Sequence, residues 1–152
     1  VSPSDGYGND LRHARWKLHL ACKPCMIVRP ARQEDIPTIV EIVERCGLGV
    51  DGLDYSKWTG VILVAMRQDE VIGFVSALPG FPYAIITEMG VLPEHQKGRA
   101  AVKLWEGMEL LLSSLGVSTW AAFIGEKRDV NEIMPKLGAV CAGTGRMWTR
   151  SL

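Results

Sequence analysis

Hydrophobic and polar positions alternate along the chain in short runs that predict β-strands. The runs are rich in Val, Ile and other residues that favour extended backbone, and turn-forming residues separate them. They predict strands at 26–30, 61–66, 71–78, 84–91 and 119–124, and a closing hairpin at 140–142 and 147–149. Only Arg67-Gln68-Asp69-Glu70 separates the second run from the third, which predicts an antiparallel hairpin.

A second spacing, with apolar residues three or four positions apart, predicts helices. One such stripe begins after Asp35, a good N-cap residue, and stops before Gly47. A longer stripe covers 100–115, so one face of that helix is expected to be core. A short helix is predicted over 130–137, and Pro135 must distort it because proline lacks a backbone N–H.

The predicted order of elements is β-α-(α)-β-β-β-α-β-α-β-β, which places the chain in the mixed α/β class. The chain has 152 residues, 47% of them hydrophobic and 22% charged, which fits one domain with a full core. The β-α-β crossover through the long helix should be right-handed. Residues 1–25 show no clear period and are predicted to be an N-terminal extension: a leader, an expression remnant or a short extra helix.

Composition narrows the choice of partners. Lys plus Arg and Asp plus Glu both number 17, so no net charge favours nucleic acid. No apolar run approaches the roughly 20 residues that a membrane helix needs, and we expect a cytoplasmic protein.

Cys22 and Cys25 form a C-x-x-C without a second ligand pair, so no metal site is predicted. Cys46 and Cys141 are expected to be small buried side chains.

The turn before the long helix carries the clearest chemical signal. It reads Glu94-His95-Gln96-Lys97-Gly98-Arg99-Ala100-Ala101. The first N–H groups of a helix have no partner within the helix, and its dipole is positive at that end. Gly98 lets the backbone approach a ligand closely, and Lys97 and Arg99 add positive charge. The turn therefore predicts a site for a phosphate or pyrophosphate.

Together with the preceding Val91-Leu92-Pro93, this turn resembles the acetyl-CoA signature of the GNAT superfamily of N-acetyltransferases. The usual form is Q/R-x-x-G-x-G/A, so either one loop residue is missing here or Arg99 stands where a glycine is expected. The element order from 26 to 152 is similar too. The resemblance implies one acetyltransferase-like domain over 26–152, with a mixed, mostly antiparallel sheet, flanking helices and splayed central strands.

The resemblance also implies acetyl-CoA as the cosubstrate. Its pyrophosphate would bind at Gln96, Lys97, Gly98, Arg99, Ala100 and Ala101. Its pantetheine arm would run beside the central strand, where a bulge splays the strand from its neighbour. Gly90 is compatible with that bulge, and the backbone N–H near Val91 would polarise the thioester carbonyl.

Glu88 is the predicted general base. Alternation along the strand puts Glu88 and Gly90 on one face, and Thr87, Met89 and Val91 on the other. A carboxylate in an apolar strand is costly to bury, and burial raises a carboxyl pKa towards a value useful for proton transfer. The alternative is a partly exposed Glu paired with a nearby Lys or Arg.

The proton donor for the leaving thiolate is harder to assign. By the resemblance, a Tyr about four residues before Gly138 would fill this role, but Met134 stands there, and a thioether cannot donate a proton. Three alternatives follow: water protonates the thiolate, Tyr83 or Tyr55 substitutes, or the domain is a poor catalyst. Tyr83 is kept as a candidate catalytic residue.

The resemblance predicts an N-acetyltransferase that moves an acetyl group from acetyl-CoA to an amine by direct attack in a ternary complex. The acceptor would be a small-molecule or protein amine, selected by the loops at 48–60, 79–83 and 143–146. The alternative is a catalytically weak acyl-CoA-binding module of the same fold. No nucleic-acid or membrane partner is expected, and a homodimer is a possible assembly.

Overall fold

The structure is a computed structural model that describes residues 25–48, 57–80, 83–124, 128 and 130–143. The predictions for the N-terminal extension and for the 147–149 strand lie outside these residues. By its internal contacts the chain divides into two compact units, at Ala121 and Ala122.

The first unit is built on a five-stranded mixed sheet, which confirms the predicted fold class. Its strands stand in sequence order: β1 (Ile27–Pro30), β2 (Val61–Arg67), β3 (Glu70–Leu78), β4 (Tyr83–Val91) and β5 (Thr119–Ala122). The pairs β1–β2, β2–β3 and β3–β4 are antiparallel. The long helix α2 (Ala100–Ser114) connects β4 to its neighbour β5, as a crossover between adjacent strands requires.

Two helices cover the two faces of this sheet. The first, α1 (Ile36–Arg45), buries Ile39 and Ile42 against Val64 and Phe74. The other face packs on α2, whose buried residues follow the predicted helical stripe: Ala100, Leu104, Trp105, Met108 and Leu112. The core is therefore two apolar layers with the sheet between them.

Gly47 ends α1 in the left-handed backbone region, at φ +60°. Its N–H donates to the Glu44 carbonyl, and the Leu48 N–H donates to the Val43 carbonyl. These two bonds form a Schellman motif, which requires a residue with positive φ at the Gly47 position. The motif turns Leu48 back against the α1 face of the sheet.

Two tryptophans join α2 to β5. The rings of Trp105 and Trp120 stack with their centroids 4.9 Å apart, at an interplanar angle of 29°. The Trp120 indole N–H donates to Glu109 Oε1 at 2.9 Å. Because β5 has only four residues, this stack and hydrogen bond help to hold it in place beside the nine-residue β4.

An ion pair fixes the start of α1 to β1. Arg29 donates to both carboxylate oxygens of Asp35, at 2.7 and 3.0 Å, and the Arg32 backbone N–H donates to Asp35 Oδ2 at 2.7 Å. Asp35 is 5% exposed. It is the N-cap of α1, as predicted, but its side chain caps the preceding short turn at 33–35 instead of α1 itself.

The second unit contains a short helix, α3 (Val130–Ile133), and a 3₁₀ turn (Met134–Leu137). The predicted helix over 130–137 changes character at Met134, next to Pro135, because proline cannot donate the α-helical hydrogen bond. Residues 140–142 are irregular, so the predicted strand there is wrong. Cys141 is exposed, which corrects the expectation that it is buried.

Among the described residues, no helix is both long and apolar enough to cross a bilayer. The same residues contain no group of three or more His, Cys, Asp or Glu side chains arranged to hold a metal ion.

The ion pair predicts a loss of stability in acid. The Arg29 guanidinium, and after it the Arg32 N–H, hold the pKa of Asp35 below its ordinary value, although burial raises it. A lowered folded-state pKa stabilises the fold above the unfolded pKa of about 3.9, and this contribution is lost as pH falls through the folded pKa. We expect Asp35→Asn to lower the free energy of unfolding by about 2 kcal/mol at pH 7, and the difference from wild type to shrink below about pH 4.

Urea unfolding at several pH values measures this difference. The control is Glu34→Gln, which removes an exposed carboxylate 3.4 Å from Arg32 and should cost less than about 0.5 kcal/mol. An Asp35→Asn difference that stays constant down to pH 2 would show that the ion pair does not carry the acid sensitivity.

The β2–β3 hairpin predicts a gain of stability. Its two-residue loop places Gln68 and Asp69 at φ 51° and 66°, as in a type I′ turn, which favours Asn-Gly. Replacing the loop by Gln68→Asn and Asp69→Gly should stabilise the fold by about 1 kcal/mol and raise Tm by roughly 2–4 °C. Asp69→Ala is the control and should lower Tm, because alanine disfavours positive φ. A higher Tm for this control would show that Asp69 does not have the positive φ that the prediction depends on.

Candidate active site

The central feature of the site is a bulge in β4. Ser76 of β3 lies opposite Glu88, but the next residue, Ala77, lies opposite Ile86. Thr87 is therefore the extra residue, and Thr87 and Glu88 together oppose Ser76. The predicted bulge exists, but it lies three residues before Gly90, which corrects its predicted position.

Gly90 has a packing role instead. A Cβ built on it would lie 2.9 Å from Ile42 Cγ2, 2.9 Å from Leu48 Cδ1 and 3.2 Å from Phe74 Cε1. Only glycine lets β4 approach α1 and its C-terminal turn this closely. Because Gly90 is opposite Phe74, it marks the α1 face of β4.

The bulge also decides which side chains share that face. Glu88 lies two residues before Gly90 and so faces α1, as predicted. Thr87 was expected on the opposite face, which is wrong, because both residues of a bulge oppose the same partner. The Thr87 hydroxyl contacts the Ser76 hydroxyl at 2.8 Å on this side. A carboxylate and a hydroxyl are thus adjacent on one face of the strand.

Glu88 is half-buried, and its Oε2 is excluded from solvent. It lies three residues, or about 10 Å along the strand, from Val91.

Two side chains donate to the Val91 carbonyl at the end of β4. The Gln96 amide Nε2 donates to it at 2.9 Å, and the Cys46 thiol donates to it at 3.2 Å. The Leu92 N–H bonds to Ile72 on β3. Successive N–H groups of a strand point to opposite edges, so the Val91 N–H points away from β3, towards the β5 side.

The turn after β4 leads directly into α2. A 3₁₀ turn covers Pro93–His95, and α2 begins at Ala100 with Arg99 as its N-cap. The side chain of Arg99 makes no cap hydrogen bond to this helix. Gln96, Lys97, Gly98 and Arg99 are exposed, Ala101 is half-buried and Ala100 is buried. The structure thus places the predicted anion turn at an uncapped, positively charged helix start.

A bidentate ion pair connects α1 to this turn. Arg45 donates to Glu94 Oε1 at 3.2 Å and to Oε2 at 2.8 Å, and it lies 3.7 Å from Glu41. Two hydrogen bonds hold the pKa of Glu94 below its ordinary value. The larger effect comes from a backbone hydrogen bond within Glu94 itself, and the second comes from Arg45. Together with the Cys46 contact to Val91, the pair joins the end of α1 to the β4 end of the turn.

The structure does not bring Tyr83 to Glu88. Tyr83 is the first residue of β4, 51% exposed, and five residues before Glu88, about 15 Å along the strand. Tyr83 as the proton donor is therefore not supported by its position. Met134 is half-buried in the second unit. Tyr55, the other candidate donor, lies outside the described residues.

Sequence reasoning missed Ser76, Thr87 and Cys46 as parts of this site. Ser76 gave one usable signal, because it is a polar residue within the otherwise apolar strand at 71–78. Thr87 gave none, since threonine is common in strands and only the strand register reveals the bulge. Cys46 is expected in the core because its neighbours in sequence are apolar, and its contact with Val91, 45 residues away, leaves no local pattern.

The comparisons with known proteins agree with this geometry. A family model described as the Acetyltransferase (GNAT) family matches residues 28–131. The match covers more than half of the chain, so the chain belongs to the GNAT acetyltransferase family. Members of the family use acetyl-CoA, and the protein is an acetyl-CoA-dependent N-acetyltransferase.

Solved structures share the fold at low identity. Aminoglycoside N-acetyltransferase AAC(6')-Iy in complex with CoA is 14% identical with a TM-score of 0.70, over 85% of this chain and 97% of that chain. An aminoglycoside acetyltransferase from an uncultured soil metagenomic sample, in complex with trehalose, is 13% identical, with a TM-score of 0.66 and coverage of 83% and 97%. A Trypanosoma brucei acetyltransferase is 16% identical, with a TM-score of 0.64 and coverage of 84% and 100%. No curated protein sequence matches the chain.

The residues present fit acetyl-CoA. The start of α2 offers uncapped N–H groups beside two exposed cationic side chains, Lys97 and Arg99. The edge of β4 that faces β5 is longer than β5 itself, since β5 has four residues and β4 has nine. A ligand with a diphosphate and an extended amide arm matches both features.

A charge reversal at this turn should abolish binding of CoA. We expect Gly98→Asp with Arg99→Glu to weaken CoA binding at least 100-fold in calorimetry, because two carboxylates replace a close approach and a cation. Charge-assisted hydrogen bonds of this kind contribute about 1.5–3 kcal/mol each.

The control is Arg32→Glu, which makes the same Arg-to-Glu change at an exposed residue before α1. It should leave the CoA affinity unchanged. Circular dichroism checks that the double variant is folded. Wild-type affinity in a folded double variant would move the phosphate site away from the start of α2.

Proposed function

We propose that this enzyme transfers the acetyl group by direct attack of an amine on acetyl-CoA in a ternary complex. The observation that carries the proposal is the arrangement along one strand: a half-buried carboxylate at the β4 bulge and an uncapped, cationic helix start beyond the end of that strand. Direct transfer needs a base and a cofactor site held at a fixed separation, and a single strand provides this.

The cofactor would be held by Gln96, Lys97, Gly98, Arg99, Ala100 and Ala101, with the pyrophosphate at the backbone N–H groups that begin α2. Acetyl-CoA supplies an activated acyl group as a thioester. The Val91 N–H points to the β5 side of β4 and would donate to the thioester oxygen. Gln96 and Cys46 hold the Val91 carbonyl, which fixes the orientation of the peptide next to this donor.

Glu88 would be the general base. An amine with a pKa near 10 is almost fully protonated at neutral pH, so a carboxylate must take a proton, directly or through a water, before the amine can attack. The register at the bulge places this carboxylate on the α1 face of β4.

The acceptor is proposed to be a small-molecule amine, and a protein amine is the alternative. Two structures of the same fold are described as aminoglycoside acetyltransferases, which act on small molecules carrying several amines. The thiolate would be protonated by water, since Met134 cannot donate a proton and Tyr83 lies at the far end of β4.

Met134 also motivates the second candidate function, a catalytically weak module that binds acyl-CoA. The two functions differ in one assay: incubation with acetyl-CoA and a panel of small-molecule and peptide amines, followed by measurement of free thiol. CoA binding without amine-dependent thiol release would favour the module.

Replacing the base tests the proposed mechanism. Glu88→Gln should lower kcat about 100-fold or more at pH 7, the usual scale for loss of a general base. The loss should shrink as pH rises, because more of the amine then arrives unprotonated. The CoA affinity should be unchanged, because the proposed phosphate turn follows the end of β4 at Val91, three residues beyond Glu88.

The control is Glu106→Gln, which alters an exposed carboxylate of α2 that lies 3.5 Å from Lys103 and should keep wild-type kinetics. A Glu88→Gln enzyme with normal turnover at pH 7 would make Glu88 a structural carboxylate.

A further inference from the structure

Thr87 in the β4 bulge and Ser76 of β3 form a pair of hydroxyl groups that the general-base mechanism does not use. Ser76 is completely buried, and its hydroxyl lies 2.8 Å from the Thr87 hydroxyl and 3.4 Å from the Glu88 carbonyl oxygen. Its neighbour on β2, Ile62, is apolar, whereas its neighbours on β4 are Thr87 and Glu88. A buried hydroxyl costs stability unless it is hydrogen-bonded, and an apolar side chain would fill this position without that requirement. Packing alone therefore does not explain the pair.

The hydrogen bonds of this pair can be arranged in two ways. If Thr87 donates to Ser76, Ser76 donates to the Glu88 carbonyl and a lone pair of Thr87 stays available. If Ser76 donates to Thr87, the proton of Thr87 is available instead. In both arrangements the buried Ser76 is satisfied within the protein. The remaining capacity belongs to Thr87, which is half-buried where Ser76 is fully buried.

An amine acceptor needs such a group beside the base. A primary amine that gives one proton to Glu88 keeps two N–H bonds, and its lone pair points at the thioester only if those N–H directions are fixed. The bulge puts the Thr87 hydroxyl next to the Glu88 carboxylate on one face of β4. One N–H could then donate to Thr87 Oγ1 while the carboxylate accepts the departing proton.

We infer that Thr87 binds the acceptor amine and that Ser76 is a positioning residue, because it holds the Thr87 hydroxyl in place. This inference rests on the proposed function. It assigns acceptor recognition to the strand itself, in addition to the loops expected to select the acceptor.

The test compares Thr87→Val, which keeps the shape and removes the hydroxyl, with Thr87→Ser, which keeps the hydroxyl. We expect Thr87→Val to lower kcat/KM for the amine about tenfold, the scale of one hydrogen bond. The affinity for CoA in calorimetry should stay within about twofold of wild type, and Thr87→Ser should retain most of the activity. The acid limb of the pH profile, which reports the base, should stay in place.

Ser76→Ala should have a smaller effect in the same direction. The double variant Ser76→Ala, Thr87→Val should be no slower than Thr87→Val alone, because Ser76 acts only through Thr87. If Thr87→Val does not fold, Ser76→Ala carries the test through lower kcat/KM for the amine at unchanged CoA affinity.

Two results would overturn the inference alone: an active wild type with unaltered amine kinetics in Thr87→Val, or effects of the two substitutions that add fully. A wild type that binds CoA but acetylates no amine would instead overturn the proposed function, and this inference with it.

Discussion

The single extra residue in β4 is the constraint on which the site depends. If Thr87 continued the regular alternation from Ile86 instead of forming a bulge, Glu88 would lie on the face covered by α2, where Leu104 and Trp105 are buried. A carboxylate there would be paired with neither water nor charge, at a cost of several kcal/mol. The bulge moves it to the other face, so the sheet keeps an apolar layer under α2 and gains a polar position opposite.

The end of α1 fixes this strand from the other side. The Schellman motif directs Leu48 onto Gly90, the Cys46 thiol bonds the Val91 carbonyl, and Arg45 pairs with Glu94. An exposed ion pair alone contributes little. Here the Arg45 ion pair acts together with the Cys46 hydrogen bond and the packing of Leu48 on Gly90, all within four residues of the chain. These contacts fix the distance between the bulge and the turn that is proposed to bind the pyrophosphate.

Much of this fold follows from the sequence, because strongly periodic segments specify their own structure. The hairpin around Gln68 and the start of α2 at Ala100 were predicted to within one or two residues. The bulge position was not, since a one-residue register shift depends on the partner strand and leaves no local pattern. Gly90 illustrates the difficulty: a glycine in a strand signals either a bulge or a close approach, and only the packing of α1 decides. The predicted strand at 140–142 is irregular, and a short β-prone run carries little intrinsic preference for a strand.

The chemistry tolerates the absence of a tyrosine at Met134. A thiol has a pKa of about 8.5 and an alkylamine about 10, so the thiolate is the better leaving group once both are bonded to the same carbon. Expulsion of the thiolate therefore does not require a proton at the moment of bond cleavage, and water can supply it afterwards. The harder requirement is the removal of a proton from the incoming amine. Under the proposed mechanism Glu88 takes this proton, and Thr87 and Ser76 lie beside it at the bulge.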